Sequence, residues 1–282
     1  MNLLVTGHKG YIGGNLLKRL QELGHNVMGI DLKEGEDILD GFQQKHRDFK
    51  PEVIFHLAAI PRVVYSIENP IEVMHNNVHS TSIVLEFAKQ VGAMVVYSSS
   101  SSVVGNGDGP ESPYALSKYV GEMETILYNK LYNIDTVALR YFNVYSVDQV
   151  ADGPYATCVA NWRRFIKEGM TPYITGDGEQ RRDMAHVSDV VSANIFCMQN
   201  RSNAALLGKA FDVGTGNNIS INEMKDAVRE SLPNLKFDYV ADRPGDVRLT
   251  KANIQPLLDL GWKPEVDISE GIKTCFSEFI NE

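Results

Sequence analysis

The chain of 282 residues is long enough for one domain, or one domain with an appended lobe, and its 43% hydrophobic and 22% charged residues are typical of a globular protein. A formal net charge of -9 without a basic stripe argues against nucleic acid as the main partner. Three scattered cysteines, and the absence of a leader-like or membrane-spanning apolar run, predict a cytoplasmic protein with free thiols and no membrane partner.

Short apolar runs alternate with amphipathic helical patterns along most of the chain. The predicted strands are Leu3–Thr6, Asn26–Asp31, Val53–Leu57, Met94–Ser98, Thr136–Arg140 and Ala210–Val213. The predicted helices are Ile12–Leu23, Pro70–Val91, Tyr114–Leu131 and Val187–Met198. This alternation predicts an α/β fold of the Rossmann type, a doubly wound parallel sheet with helices on both faces. Only the five residues Leu32–Glu36 separate the second strand from "DILD", so we expect a shortened sheet edge there.

The later part of the chain is richer in Gly, Pro and charged residues and predicts a smaller C-terminal lobe. "TPYITGDGEQRRD" predicts a short strand and a loop, and Ser220 with Glu223 has the spacing of a capping box at a helix start. We place the larger domain at residues 1–146 and 185–213, and the lobe at residues 147–184 and 214–282.

The first motif, "TGHKGYIGG", places Gly7, Gly10 and Gly13 between the first strand and the first helix. Glycines there permit a tight turn and let a pyrophosphate approach the helix N-terminus. Asp31 ends the second predicted strand, where its carboxylate would accept hydrogen bonds from a ribose and repel a 2′-phosphate. The motif therefore predicts NAD rather than NADP, although Lys9 is a feature that favours NADP.

The second motif, "YSSSSSVVGNGDGPESPYALSK", joins a serine-rich strand end to a tyrosine and a lysine four residues apart. On a helix, Tyr114 and Lys118 share one face. A lysine ammonium and a cationic nicotinamide both lower the pKa of a neighbouring phenol. Tyr114 is therefore predicted to take a proton from a sugar or alcohol hydroxyl, with a serine hydroxyl holding the same oxygen.

A family resemblance follows from the order of "TGHKGYIG", "HLAA", "YSSSSSVVG", "SPYALSK", "LRYFNVY", "GDGEQRRDMAHVSDV", "FDVGTG" and "RPGDVRLTKANI". The sequence resembles the extended short-chain dehydrogenase/reductases and, more narrowly, the nucleotide-sugar 4-epimerases of the UDP-glucose/UDP-galactose type. The likeness runs from residue 2 to about residue 271. It implies a larger domain that binds NAD and a lobe that binds a nucleotide-diphosphate sugar.

The resemblance implies Ser100 as the catalytic hydroxyl, with Ser101 as the alternative if the register slips, Tyr114 as the acid/base and Lys118 as its partner. The implied cofactor positions are Gly7, Gly10, Tyr11, Ile12, Gly13, Asp31, Asp37, Ile38, Leu57, Ala58, Ala59, Asn76, Ser98, Tyr114, Lys118 and Tyr141. The implied substrate positions are Ser100, Asn143, Arg182, Arg243, Asp246 and Thr250. Guanidinium groups suit a diphosphate. The resemblance implies that Thr250 lies at the position that gates the sugar pocket, where a residue smaller than tyrosine favours an N-acetylated sugar.

Two further departures from the family pattern accompany the shortened edge. The linker from Gly105 to Pro113 is short, which predicts an open or rebuilt rim at the active site. Pro61 stands where the UDP-galactose enzymes carry a lysine that touches the cofactor phosphates. Both differences, like the shortened edge, argue against a tightly held NAD.

Several reactions remain open within this resemblance. The 4,6-dehydratases carry an Asp-Glu pair beside the catalytic hydroxyl, where this chain has Ser101 and Ser102, and the 3,5-epimerase/4-reductases carry a cysteine in the same strand end. NAD-dependent 4-epimerization is therefore favoured, with a 4-keto-sugar reductase or a dehydratase as the alternative. A non-catalytic NAD-binding regulator is a further alternative, although such proteins typically lose the tyrosine or the lysine.

The resemblance also implies a homodimer formed by the two long helices. The apolar residues proposed for that interface are Met74, Val78, Leu85, Val120, Met123 and Leu127. His75 and His79 have metal-ligand spacing on the first of these helices, but the glutamate of a zinc-protease motif is absent, so no metal is expected.

Overall fold

A six-stranded sheet dominates the computed structural model, which describes residues 1–105, 107–149, 157–242 and 247–280. Its strands are Asn2–Thr6 (β1), Asn26–Ile30 (β2), Val53–His56 (β3), Met94–Ser100 (β4), Thr136–Tyr141 (β5) and Lys209–Val213 (β8). They lie in the order β2-β1-β3-β4-β5-β8, and the pairs from β2 through β5 are parallel. The Rossmann-type fold predicted from the alternation is confirmed.

The chain divides into two compact units. The first contains residues 1–141, 191–212 and 256–262, and the second contains residues 142–190, 213–255 and 263–280 of the described chain. The assignment of a cofactor role to one domain and a substrate role to the other stays a prediction.

The helices that accompany the sheet are Tyr11–Glu22 (α1), Gln44–Phe49 (α2), Val63–Glu68 (α3), Pro70–Val91 (α4), Pro113–Tyr132 (α5), Val187–Gln199 (α7) and Gln255–Leu260 (α9). Apolar residues of β1, β3 and β4 pack against α4, and Leu4, Ile54 and Leu85 are fully buried. Burying such side chains contributes about 1.5–3 kcal/mol each.

The shortened sheet edge is also found. After β2, the chain forms 3-10 turns at Leu32–Glu34 and Ile38–Asp40, and α2 then leads into β3, so β2 is the outermost strand. Phe42 stacks on Phe87 of α4 with ring centroids 3.9 Å apart, which covers this side of the core.

The described part of the second unit contains the helices Cys158–Lys167 (α6), Ile221–Ser231 (α8) and Ile268–Phe276 (α10), together with short strands. Tyr173–Thr175 (β6) pairs in parallel with Asp238–Val240 (β10), and Arg181–Arg182 (β7) pairs antiparallel with Ile219–Ser220 (β9). Its core contains Trp162, Tyr145 and Phe276. The predicted capping box is present, since the Ser220 hydroxyl accepts from the Glu223 N–H at 3.0 Å and the Glu223 carboxylate accepts from the Ser220 N–H at 2.8 Å.

No helix in the described part of the chain is long and apolar enough to cross a bilayer.

Candidate active site

The glycine-rich turn between β1 and α1 is closed by its own backbone. Gly7 has a φ of +73°, and a Cβ there would lie 2.8 Å from the Ala58 nitrogen. A Cβ on Gly13 would lie 2.2 Å from the Gly7 carbonyl oxygen. Gly7 and Gly13 therefore cannot be replaced by a residue with a side chain. Helix α1 begins at Tyr11, followed by Ile12, and its N-cap residue is Gly10, which has no side chain. The first N–H groups of α1 and its dipole suit a pyrophosphate.

Asp31 follows β2 directly and is held by backbone N–H groups. Its Oδ2 accepts from the Lys9 N–H at 2.8 Å and its Oδ1 from the Lys33 N–H at 2.9 Å. Asp37 and the buried Ile38 lie in the following 3-10 turn, where Asp37 Oδ1 accepts from the Leu39 N–H at 2.9 Å. Asp37 and Ile38 line a small pocket with Ile30 and Phe42.

A buried histidine connects this turn with α4. The Thr6 hydroxyl accepts from the Leu57 and Ala58 N–H groups, both at 3.2 Å, so its proton points at His56 Nδ1, 2.8 Å away. Thr81 donates to the Asn77 carbonyl at 2.7 Å, so it accepts from His56 Nε2 at 3.1 Å. The imidazole is thereby fixed as the neutral Nε2–H tautomer. Burial, and secondarily the charge of Lys118, lower the pKa of His56 to about 3.

Asn77 continues the connection to the tyrosine helix. Its side chain binds both the N–H of Ile60 at 2.8 Å and the carbonyl of Ile60 at 3.1 Å, and it donates to Ser117 Oγ at 3.0 Å. Ser117 donates in turn to the Tyr114 carbonyl at 2.7 Å. Asn76, the predicted cofactor contact, donates to Asn77 Oδ1 at 3.1 Å. Sequence reasoning missed His56, Asn77 and Ser117, which hold the Leu57–Ala59 loop and the start of α5 in place.

The predicted catalytic residues Ser100, Tyr114 and Lys118 lie together in the first unit. The Ser112 hydroxyl caps α5 by accepting from the Ala115 N–H at 3.1 Å, with Pro113 at the first helical position. This start places Tyr114 in the first turn of α5, where its hydroxyl hydrogen-bonds to Ser100 at the end of β4. Ser100 Oγ is also contacted by the Ser102 hydroxyl at 2.9 Å.

Lys118 is buried one turn further along α5. Its ammonium donates to the Ser98 carbonyl at 2.7 Å and lies 5.1 Å from the centre of the Tyr97 ring. Burial lowers the pKa of Lys118 to about 7, and burial also raises the pKa of Tyr114, opposed by the Ser100 hydrogen bond. Formation of a phenolate at Tyr114 therefore requires two nearby positive charges, the protonated Lys118 and a cationic nicotinamide ring.

The remaining serines of the strand end have separate structural partners. Ser98 Oγ lies 2.9 Å from the Tyr141 hydroxyl, which accepts from Asn194 Nδ2 at 2.8 Å, and burial raises the pKa of Tyr141 to about 12. Ser99 donates to Glu122 at 2.7 Å, a carboxylate with no exposed surface. Arg140 binds the same carboxylate through two nitrogens, at 2.9 and 2.5 Å. Hydrogen bonds thus hold the two serines that precede Ser100 in place.

Of the predicted substrate residues that the structure describes, Ser100 lies in the first unit, and Asn143, Arg182 and Thr250 lie in the second. Asn143 has a φ of +34°, and its Nδ2 donates to the Asp183 carbonyl at 2.7 Å and to Thr250 Oγ1 at 3.2 Å. Arg182 donates to the Arg181 carbonyl at 3.0 Å, while Arg181 itself is bound to Glu223. Arg243 and Asp246 lie outside the described residues.

Asp183 was also missed by sequence reasoning, and it fixes this cluster. Its buried carboxylate accepts from the N–H groups of Thr215, Gly216 and Ala252 at 2.8 to 3.0 Å. Thr250 Oγ1 accepts from the Asp183 N–H at 3.2 Å. Asp183 therefore joins the segment after β8 to the segment that carries Thr250.

Comparison with known proteins identifies the family. Residues 3–214 match the model of the NAD dependent epimerase/dehydratase family. This chain belongs to that family. The resemblance drawn from the motifs is therefore confirmed, and with it the dependence on NAD, because solved relatives are complexes with NAD.

The relatives are named for UDP-sugar substrates, but the reactions in their names differ. The chain is 33% identical to a UDP-glucose 4-epimerase of Mycolicibacterium smegmatis, over 100% of this chain and 99% of the relative. It is 29% identical to a UDP-N-acetyl-alpha-D-glucosaminuronate decarboxylase of Bacillus cytotoxicus, over 98% and 97% of the two chains. The structure is similar to a UDP-N-acetylglucosamine 4-epimerase from Methanobrevibacter ruminantium M1 in complex with UDP-N-acetylmuramic acid, with a TM-score of 0.87, 27% identity and coverage of 99% and 98%. The family thus supports a nucleotide-sugar enzyme, and the individual reaction has to be argued from the site.

Proposed function

We propose that this protein is an NAD-dependent 4-epimerase of a UDP-sugar. The observation that carries the proposal is the hydrogen bond between Ser100 and Tyr114 beside the buried Lys118, on a strand end that has only serines next to it. A dehydratase needs an acid and a base at those neighbouring positions for the loss of water. Similarity to UDP-sugar 4-epimerases over nearly the whole chain supports both the reaction and the nucleotide.

The residues of the chain have complementary roles in this reaction. The phenolic oxygen of Tyr114 takes the proton of the sugar 4-hydroxyl and later returns it to the other epimer. Ser100 donates a hydrogen bond to the same sugar oxygen. The Lys118 side chain, when protonated, stabilises the phenolate form of Tyr114. Bound NAD would supply the acceptor and then the donor of the carbon-4 hydride, so the reaction would involve no net oxidation.

The cofactor would be held by the glycine turn and by the loops fixed through His56. Gly7, Gly10 and Gly13 leave room for the pyrophosphate, Asp31 would bind the adenosine ribose, and Ala58 lies directly against Gly7. The other proposed cofactor positions are Tyr11, Ile12, Asp37, Ile38, Leu57, Ala59, Asn76, Ser98 and Tyr141. On the sugar-nucleotide side we propose Asn143, Arg182, Arg243, Asp246 and Thr250, with the arginines on the diphosphate.

A second copy of the chain is the proposed protein partner. Helix α5 exposes a row of apolar side chains at three- and four-residue spacing, Leu116, Tyr119, Met123, Leu127 and Leu131, and Ile71 of α4 is 85% exposed. Such a stripe is unusual on a surface that faces only water. Leu85 is fully buried in the core of the first unit and cannot belong to the interface, which corrects that part of the sequence prediction.

The proposal is tested by proton NMR of the purified protein with NAD and a panel of UDP-, GDP- and dTDP-sugars. A new anomeric signal from a 4-epimer, without accumulation of NADH, is expected for a UDP-sugar. Conversion of a 4-keto sugar that consumes stoichiometric NADH would instead assign a reductase. Loss of the sugar carboxylate from a UDP-uronic acid would assign a decarboxylase.

A further inference from the structure

Charged side chains surround Asp31 at the point where a dinucleotide presents its adenosine ribose. Lys9 lies in the glycine turn, and its ammonium is 2.7 Å from Glu34 Oε1. His8 Nε2 is 3.2 Å from Glu34 Oε2. One carboxylate in the 3-10 turn after β2 therefore binds two residues of the glycine turn at once.

The position of His8 depends on a glycine in β2. A Cβ on Gly29 would lie 2.4 Å from His8 Cγ and from His8 Nδ1, so the ring can lie against β2 only because Gly29 has no side chain. The ring is 9% exposed, and its Nδ1 is buried with no hydrogen-bond partner among the described atoms. His8 is thus directed toward Glu34 by packing.

The charges at this site favour a ribose without a phosphate. Asp31 already accepts two backbone hydrogen bonds, and Glu34 adds a second carboxylate that neutralises the ammonium of Lys9. The hydrogen bond from Lys9, followed by its charge, lowers the pKa of Glu34, so the carboxylate is ionised at neutral pH. Without Glu34, the Lys9 ammonium would be available to bind a 2′-phosphate. This positive charge is the feature of the sequence that favours NADP.

We propose that Glu34 is a specificity-determining residue that excludes NADP by pairing with Lys9 and His8 beside Asp31. The proposal rests on the cofactor site described under the proposed function. It assigns the discrimination between NAD and NADP to Asp31 and Glu34 together, because Asp31 alone would leave the Lys9 ammonium available to a 2′-phosphate.

The test is isothermal titration calorimetry of NAD and NADP against the full chain, comparing the wild type with Glu34→Gln and Glu22→Gln. Glu22 is the matched control because it is equally exposed, pairs with Arg19 at 3.1 Å, and lies at the far end of α1. Glu34 and Lys9 are both about half exposed, so water and salt screen their charges and the expected change in affinity is modest. Glu34→Gln should therefore raise the ratio of NADP to NAD affinity by about threefold to fivefold, and Glu22→Gln should leave it unchanged within about 1.5-fold.

A second variant tests whether the gain acts through Lys9. Adding Lys9→Gln to Glu34→Gln should return the affinity ratio toward that of the wild type. Retained NAD binding in Glu34→Gln without a gain in NADP affinity would overturn the inference, as would an equal gain in Glu22→Gln. A wild-type protein that binds neither nucleotide would overturn the proposed function and this inference together.

Discussion

Replacing Lys118 with methionine should stabilise the fold at neutral and mildly acidic pH while it removes activity. Lys118 is 4% exposed, and burial lowers the pKa of its ammonium from 10.5 to about 7. A difference of that size corresponds to roughly 5 kcal/mol of unfavourable charge burial in the folded state. Methionine has a similar length and no charge, so it removes this cost.

The direction in which the stability changes with pH follows from the two protonation states of Lys118. Below pH 7 the lysine is charged in both the folded and the unfolded protein, and the full cost is present. As pH rises from 7 toward 10.5, the folded protein loses the proton first, so the stability of the wild type rises and the cost disappears. The variant loses the hydrogen bond to the Ser98 carbonyl, which costs about 1–3 kcal/mol at every pH. The net expectation is a variant about 2–4 kcal/mol more stable at pH 6, with no advantage at pH 10.

Urea denaturation of both proteins at pH 6, 8 and 10 measures this difference. Lys130→Met is the control, because Lys130 is exposed on the same helix and its replacement should leave the pH dependence unchanged. A Lys118→Met protein that is less stable than the wild type at pH 6, or a difference that does not change with pH, would refute the reasoning. Burying a charge at a cost in stability is typical of functional sites.

Three further predictions concern the acid/base, the carboxylate behind it and the proposed interface. Tyr114→Phe should lower the turnover of the UDP-sugar by about 10²–10⁴-fold while NAD affinity by calorimetry changes little, and unchanged turnover would exclude Tyr114 as the acid/base. Glu122→Gln should lower the free energy of unfolding by about 2–3 kcal/mol, because Arg140 loses a buried charged partner and is left with the longer contact to Asp212 at 3.5 Å. Glu124→Gln is its control, since Glu124 on the same helix accepts from the Ser82 hydroxyl, and equal losses of stability would contradict the role given to the ion pair. Leu127→Glu should convert a dimer to a monomer in light scattering, and a wild-type protein that is already monomeric would contradict the proposed interface.

The fold could be predicted from the sequence because its signals are local. The strand at Val53–His56 is a continuous apolar run, and the helix at Pro70–Val91 repeats its apolar residues every three or four positions, so both were found with nearly the observed ends. The glycine spacing predicted the turn for the same reason, since Gly7 needs a positive φ and Gly13 a close approach. The short connection after β2 could be read directly from its length.

The supporting residues could not be found this way because their roles depend on distant contacts. Glu34 acquires its partners from residues 25 and 26 positions earlier, and Asp183 binds segments that lie more than 30 positions later. Leu85 was placed on an interface because the periodicity of α4 does not distinguish an inward apolar face from an outward one. A resemblance between motifs suggested Asn76, although its neighbour Asn77 is the residue that holds Ile60 and Ser117.

The most direct test of the central claim uses UDP-sugars that carry deuterium at carbon 4, incubated with the protein and a small amount of NAD. If the protein is a 4-epimerase, the NMR spectrum will show a 4-epimer that keeps its deuterium at carbon 4, because the hydride taken from that carbon returns to it. A product that has lost the deuterium, or a protein that binds NAD and leaves every UDP-sugar unchanged at carbon 4, would contradict the account.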